Sequence, residues 1–266
     1  MLRDISIFSS LRDRDLAREG LIIGEGRFLA ERIAASCSLV AAAAVPKARE
    51  KMETIIRGQC PLYEVSQEEL SGTAGYGFHR GMLLAARRPE IPSLEGLRVP
   101  REGRRIVVCA GIGDPVNLGT IMRSAAALGW EGVFMDRNCA DPFSRRTLRC
   151  SMGAALSLEL GYFEGPGDMA YLKNTGWVLA GAAIGGKALP PAALASAEKL
   201  AILFGSEGFG LPEQLRDECS MEVYIPQVRN TMVDSLNVAA AAAILLWEGR
   251  PEDTGRGFPA DHGCGP

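Results

Sequence analysis

Three short stretches hold most of the side chains that could do chemistry: GIGDPVNLGTIMR (111–123), GSEGFGLP (205–212) and IPQVRNTMVDSLN (225–237). Each is rich in Gly, Asn, Ser or Pro, and each follows an apolar run. Glycine lets backbone approach a ligand closely, and the polar residues offer hydrogen bonds. Several familiar chemistries fail on spacing. Gly111 and Gly113 begin a dinucleotide loop, but Val116 stands where its third small residue is required. GSEGFG is not followed by the Lys-Ser/Thr of a phosphate loop. Ser151, in RCSMG, lacks the first glycine of a nucleophile elbow. The chain has two histidines, His79 and His262. His79 is expected to pack in the first domain and His262 lies in the tail, which argues against a Ser-His-Asp triad. Seven cysteines without a CxxC pair suggest neither a disulfide framework nor a zinc site, and no metal is expected.

The elements that must position these stretches follow from patterning. RIVVCA (105–110), GVFMD (132–136), WVLAGA (177–182), LAILF (200–204) and MEVYI (221–225) are short apolar runs, as strands buried on both faces require. Asn117–Leu128 carries Leu118, Ile121, Met122 and Ala125 at helical spacing. Ser235–Trp247 is predicted to be a helix with Asp234 or Ser235 as N-cap, apolar almost all round and therefore buried. Alternating strands and helices imply a parallel α/β sheet, whose ligands gather at the carboxyl ends of the strands. All three polar stretches fall there.

Upstream, IPSLEGLRVPREGRR reads as a break between two units. The first unit mixes a helix, Gly26–Ala35, with strands at Ser38–Val45 and Gly81–Ala86. The predicted organisation is a small α/β module over 1–92, a linker over 93–104, a larger α/β domain over 105–250 and a mobile tail over 251–266. The chain has 266 residues, 47% of them hydrophobic, enough to bury a sizeable core. Its opening, MLRDISIFSSLRDRDLAREG, has no apolar stretch of signal-peptide type, and its longest apolar run, Val238–Trp247, is too short to span a bilayer. A cytoplasmic protein with free thiols is expected. The net charge of −3 excludes a broadly basic protein, yet Arg137, Arg145, Arg146 and Arg149 cluster around a lone acid, Asp141. Such a patch can hold phosphates; it can equally be a solvated helix face.

DPVNLGTIMRSAAALG (114–129), LFGSEGFGL (203–211) and IPQVRNTMVDSLNVAAAAAILLWE (225–248) resemble, in order, the three motifs of the SpoU/TrmH RNA 2′-O-ribose methyltransferases. LIIGEGRF (21–28) and HRGMLLA (79–85) are similar to that family's small substrate-binding module of ribosomal protein L30e type. The resemblance implies a C-terminal α/β trefoil knot with a parallel sheet, S-adenosylmethionine as cofactor, ribosomal or transfer RNA as substrate, and a homodimer. It places the motif residues on Asn117, Arg123, Glu207, Ser235 and Asn237. Cofactor contacts fall on Leu203, Gly205, Ile225 and Leu236, mainly through backbone. RNA contacts, which no family motif specifies, are expected at Arg27, Arg145, Arg146 and Arg149. The motifs also depart from the family pattern: Val116 replaces a usual glycine, Gln227 a common methionine, and the stretch from Ile225 to Asp234 is longer than usual.

Plain structural roles stand beside these. Asn117 and Ser235 are also good N-caps, Glu207 can bind loop N–H groups, and Arg123 can lie on the surface. A guanidinium stays protonated, so Arg123 suits phosphate clamping and alkoxide stabilisation better than proton abstraction. The rival functions are a non-catalytic RNA-binding or assembly protein of the same fold and a nucleotide-dependent oxidoreductase.

Overall fold

The computed structural model describes residues 6–8, 12–74, 80–94, 105–185, 188–228 and 235–251. His79, Asp234 and most of the predicted linker and tail lie outside the described residues. The chain forms two sheets, one of four strands and one of six. The four-stranded sheet comprises β1 (Leu21–Glu25), β2 (Leu39–Ala44), β3 (Leu62–Glu64) and β4 (Met82–Arg87), in the order β1-β4-β2-β3. Helices α1 (Asp13–Arg18), α2 (Arg27–Ser36), α3 (Pro46–Ile56) and α4 (Gln67–Ala74) accompany it. Strand β4 pairs antiparallel with β1 and β2, and β2 pairs parallel with β3. Helix α2 turns Leu29, Ala30 and Ile33 inward. Gly24 of β1 lets it lie close: a Cβ there would stand 2.7 Å from Ile33 Cδ1 and 3.3 Å from the Leu29 carbonyl carbon. The helix and the two strands expected here are present within a residue or two of the predicted bounds.

The six-stranded sheet is parallel throughout, in the order β10-β8-β9-β5-β6-β7. Its strands are β5 (Arg105–Cys109), β6 (Gly132–Met135), β7 (Glu159–Tyr162), β8 (Val178–Ala183), β9 (Leu200–Phe204) and β10 (Met221–Tyr224). Helices α5 (Pro115–Ala127), α6 (Arg145–Cys150), α7 (Pro166–Asn174), α8 (Glu213–Arg216) and α9 (Val238–Glu248) complete the domain. Side chains alternate between its two faces. Ile106, Val108, Ala201 and Leu203 enter one apolar layer; Val107, Cys109, Ile202 and Phe204 enter the other. Burial on both faces explains why β5, β6, β8 and β9 read as continuous apolar runs.

Several expectations change. The N-cap of α9 is Asn237, whose side-chain oxygen accepts from the N–H groups of Ala239 (2.9 Å) and Ala240 (3.3 Å). Ser235 does not cap it. The helix is not buried all round: Ile244 is 41% and Trp247 52% exposed, and Ala240 shares that stripe. Its last turn is held by donors from elsewhere, Trp130 Nε1 to the Leu246 carbonyl at 3.0 Å and Arg105 Nε to that of Gly249 at 2.5 Å. The expected linker begins differently too. Tyr162 N–H donates to the Pro92 carbonyl, Leu94 N–H donates to the Tyr162 carbonyl, and Leu94 is buried in the second layer. Residues 92–94 therefore extend the edge of the large sheet beyond β7.

Polar contacts join the two sheets. Glu25, at the end of β1, is 1% exposed and accepts from Arg145 Nε at 2.6 Å and Arg149 Nη1 at 3.3 Å. Arg88 grips Asp141 through both terminal guanidinium nitrogens, at 2.8 and 2.7 Å. Asp13 accepts the Arg145 backbone N–H at 2.9 Å, and burial raises its carboxyl above the usual carboxylate range.

Candidate active site

The chain runs from β5 outward to β6 and β7 on one side of the large sheet, while β9 lies beside β5 with β8 and β10 on the other. The boundary between β5 and β9 is thus a topological switch point, where the loops leaving neighbouring strands diverge and open a crevice. The loops after β5, β9 and β10 carry the three polar stretches.

After β5, Gly111 adopts φ +69, and its N–H donates to Asp136 at 3.0 Å. Helix α5 follows with Asp114 as N-cap, accepting from Val116 N–H at 2.6 Å, and Pro115 opening the first turn. Asn117 is therefore not the cap, and its side chain is available for other contacts. Its Nδ2 donates to Glu207 Oε1 at 3.1 Å. Asn237 Nδ2 donates to the same oxygen at 2.6 Å and to Asn117 Oδ1 at 3.0 Å. One residue from each polar stretch thus meets in a closed triangle of hydrogen bonds, although 90 and 120 positions separate Asn117 from its partners.

Beside the triangle lies a cleft lined by Ala182, Ala183, Ile184, Phe204, Gly205, Ser206, Glu207, Gly210, Ile225, Gln227, Ser235, Leu236, Val238, Ala241 and Leu245. Apolar side chains and backbone dominate, with a polar group at intervals, the character of a site for a flat, partly apolar ligand. The β9 loop is drawn tight: Gly210 N–H donates to the Ser206 carbonyl at 2.8 Å. A Cβ on Gly205 would lie 2.0 Å from the Gly210 carbonyl carbon, so no side chain fits there.

The expected residues divide. Gly205, Ile225, Leu236 and Ser235 line the cleft. Leu203 does not; strand alternation points its side chain into the opposite layer, with Val108 and Phe134. Arg123 is exposed on α5 and, among the described residues, has neither a hydrogen bond nor an ion pair. Arg145 and Arg149 turn inward onto Glu25, so the predicted phosphate patch is largely an ion-pair cluster between the two sheets. Arg146 remains exposed, and Arg27 pairs with Glu31 on the surface at 2.6 Å. The sequence reading missed Ala182–Ile184, which carry the carboxyl end of β8 onto the cleft wall; their place at the end of a buried parallel strand was the available signal.

Thiol chemistry is not supplied here. Cys139 accepts from Ile112 N–H and donates to the Cys109 carbonyl, and burial together with Asp136 pushes its thiol up to about 12. Such a group stays protonated at neutral pH and is a poor nucleophile. Among the described residues no group of His, Cys, Asp and Glu is arranged to hold a metal, and no helix is long and apolar enough to cross a membrane.

A family model described as the SpoU rRNA Methylase family matches residues 104–247. The chain belongs to this family. Among SpoU relatives it is 35% identical over 236 residues to an uncharacterized tRNA/rRNA methyltransferase of Mycobacterium bovis, covering 86% of this chain and 81% of that protein. It is 28% identical over 190 residues to RlmB of Acinetobacter baylyi, a 23S rRNA (guanosine-2′-O-)-methyltransferase, covering 70% and 76%. The fold matches that of an AdoMet-bound rRNA methyltransferase from Sinorhizobium meliloti with a TM-score of 0.79, over 94% of this chain and 95% of that one, at 23% identity. The mixed α/β architecture with a parallel sheet is therefore that of SpoU structures.

Proposed function

We propose that this protein methylates a ribose 2′-hydroxyl in structured ribosomal or transfer RNA, using S-adenosylmethionine. The observation that carries this reading is the Asn117–Glu207–Asn237 triangle, which ties the three motifs together at the mouth of an apolar cleft. The residues present suit the cofactor. Gly205, Ile225 and Leu236 offer close backbone and apolar walls for an adenosyl group, and Ser206, Gln227 and Ser235 offer polar contacts at its ends.

When bound, S-adenosylmethionine supplies a sulfonium methyl group open to in-line attack by oxygen. The chain's own residues have three tasks. The glycine-tight β9 loop fixes one wall of the cleft and would hold a bound adenosyl group in one orientation. Arg123, permanently cationic, holds the adjoining phosphate and stabilises negative charge developing on the 2′-oxygen. Glu207 and the two asparagines keep the three loops in register. The hydroxyl proton leaves to phosphate or water, because a guanidinium cannot accept it.

The reading extends to assembly. A homodimer is supported by the exposed apolar stripe Ala240, Ile244 and Trp247 on α9. The trefoil knot and the L30e-like role of the first 92 residues rest on the family resemblance. An RNA substrate goes with a cytoplasmic location.

The test is transfer of tritiated methyl from S-adenosylmethionine to total RNA from cells lacking the gene, with the modified position mapped as 2′-O-methyl. Chelator should leave cofactor binding unchanged in calorimetry. Arg123→Ala should lower single-turnover transfer by roughly a hundred- to a thousandfold and spare cofactor affinity; Arg123→Lys should not restore full activity. Stoichiometric cofactor binding with no methyl transferred to any RNA would favour a non-catalytic binding protein instead.

A further inference from the structure

Phe209 is 96% exposed, more than any other large apolar side chain among the described residues. A single exposed apolar residue is ordinary; the mounting of this one is not. It stands on the β9 loop, where its own N–H donates to Ser206 Oγ at 3.3 Å and the Gly210 N–H donates to the Ser206 carbonyl at 2.8 Å. Gly205 packs on Gly210 with no room for a side chain. The ring is thus displayed from a pinned turn, with little further ordering needed before it binds something. Glycines flank it on both sides, and a Cβ on Gly208 would meet nothing within 4 Å. Two residues earlier, Glu207 joins the Asn117–Asn237 triangle. Phe209 itself is not part of the cleft wall, so it stands at the rim and faces outward.

We infer that Phe209 is a stacking platform for a nucleobase of the RNA, at or beside the nucleotide that is methylated. The inference rests on the function proposed above. A ribose inside a folded RNA reaches a recessed methyl group only if its nucleotide is drawn partly out of its stack. An aromatic face at the rim compensates that lost stacking and accepts any base, since every base has a π face. A contact with a second copy of the chain suits the site less well. The ring's neighbours in sequence, Ser206, Glu207, Gly208 and Gly210, are polar or glycine, whereas the exposed apolar stripe with Ile244 and Trp247 belongs to α9.

The experiment compares wild type with Phe209→Ala, Phe209→Leu, Phe209→Tyr and Phe209→Trp. Methyl transfer is measured against the concentration of total RNA from cells lacking the gene, alongside calorimetry with S-adenosylmethionine and sedimentation. The Ala and Leu variants should raise KM for RNA by roughly five- to a hundredfold, the range of one lost base stack. Their cofactor affinity and oligomeric state should stay at wild-type values. Tyr and Trp should keep most of the affinity, because the π face rather than apolarity is what the base uses. Leu performing as well as wild type would overturn the inference while leaving the methyltransferase reading intact. So would a Leu variant that loses activity by becoming a monomer, which would give the ring to a second copy, or one that loses cofactor binding, which would give it to the cleft. No methyl transfer by the wild type would defeat the underlying function, and this inference with it.

Discussion

Asn237 makes two kinds of connection with one side chain. Its oxygen caps α9 through Ala239 and Ala240, and its Nδ2 reaches Glu207 and Asn117. The substitution that separates these jobs is Asn237→Asp. Aspartate caps a helix about as well as asparagine, but it brings a second carboxylate to the 2.6 Å contact with Glu207 and removes both donors. Of two carboxyls that close, one holds its proton to a pH above the usual carboxylate range. A raised carboxyl adds stability below that pKa and loses it as pH climbs through it. The Asp variant should therefore melt well below wild type at pH 8 and recover part of the difference towards pH 5. Asn237→Ser, which caps but adds no charge, should show no such recovery. Melting midpoints of the two variants from pH 5 to 8 decide the matter, and parallel profiles would remove the triangle from the account. At the same scale Arg123 differs in kind: it is exposed and, among the described residues, without a partner.

The loop after β9 works as a unit because its ends touch. Gly205→Ala places a methyl 2.0 Å from the Gly210 carbonyl carbon and 2.1 Å from Leu211 N, backbone that cannot step aside as a flexible side chain would. The loop must open, and the cleft wall moves with it. Loss of cofactor affinity by more than about tenfold is expected, with a destabilisation on the order of 3 kcal/mol. Gly208→Ala, which meets open space, should change neither. Calorimetry and melting on this pair of variants provide the check; a Gly205→Ala protein that binds cofactor like wild type would mean the loop is looser than drawn. The importance of this loop was legible in the sequence, since glycines at 205, 208 and 210 after a buried strand announce a close approach. Five strands of the large sheet were legible for a related reason, being short and largely apolar. Strand β7, with sequence ELGY, was not, because four residues with a glutamate and a glycine give no apolar run. Nor was the start of α9: Ser235 is as good a capping type as Asn237, and only the fold shows which oxygen reaches the first free N–H groups. The arginines of α6 read as a phosphate site because nothing local reveals that Glu25, 120 residues earlier, lies against them.

Across the whole molecule, one buried carboxylate connects the small sheet to the chemistry. The Glu25 side chain is fully buried, and it holds Arg145 and Arg149, themselves 12% and 30% exposed, on α6. Helix α6 in turn presses on α5 at Gly119, where a Cβ would stand 2.7 Å from Cys150 Cβ and 2.9 Å from the Thr147 carbonyl. Gly119 lies two residues from Asn117. A continuous line of packed groups therefore runs from β1 through α6 to the motif helix, with Arg88–Asp141 as a second tie between the sheets. Taking away Glu25 removes the carboxylate that Arg145 and Arg149 share, with Asp13 still beside Arg145, and breaking a buried pair costs about 3–5 kcal/mol when a charge is stranded. Arg149 is partly solvated, so a value near the lower end is expected for Glu25→Ala. The isosteric Glu25→Gln keeps an acceptor for one arginine and should cost less. Because the tie spans both sheets, the loss should not be confined to one. Hydrogen exchange should quicken in β1 and in α6 together, and methyl transfer should fall even though Glu25 is far in sequence from every motif residue. If Glu25→Ala instead melts like wild type, or loosens β1 while α6 keeps its protection, the two sheets are merely adjacent. The small module would then be an independent body rather than one held at a fixed distance from the cleft.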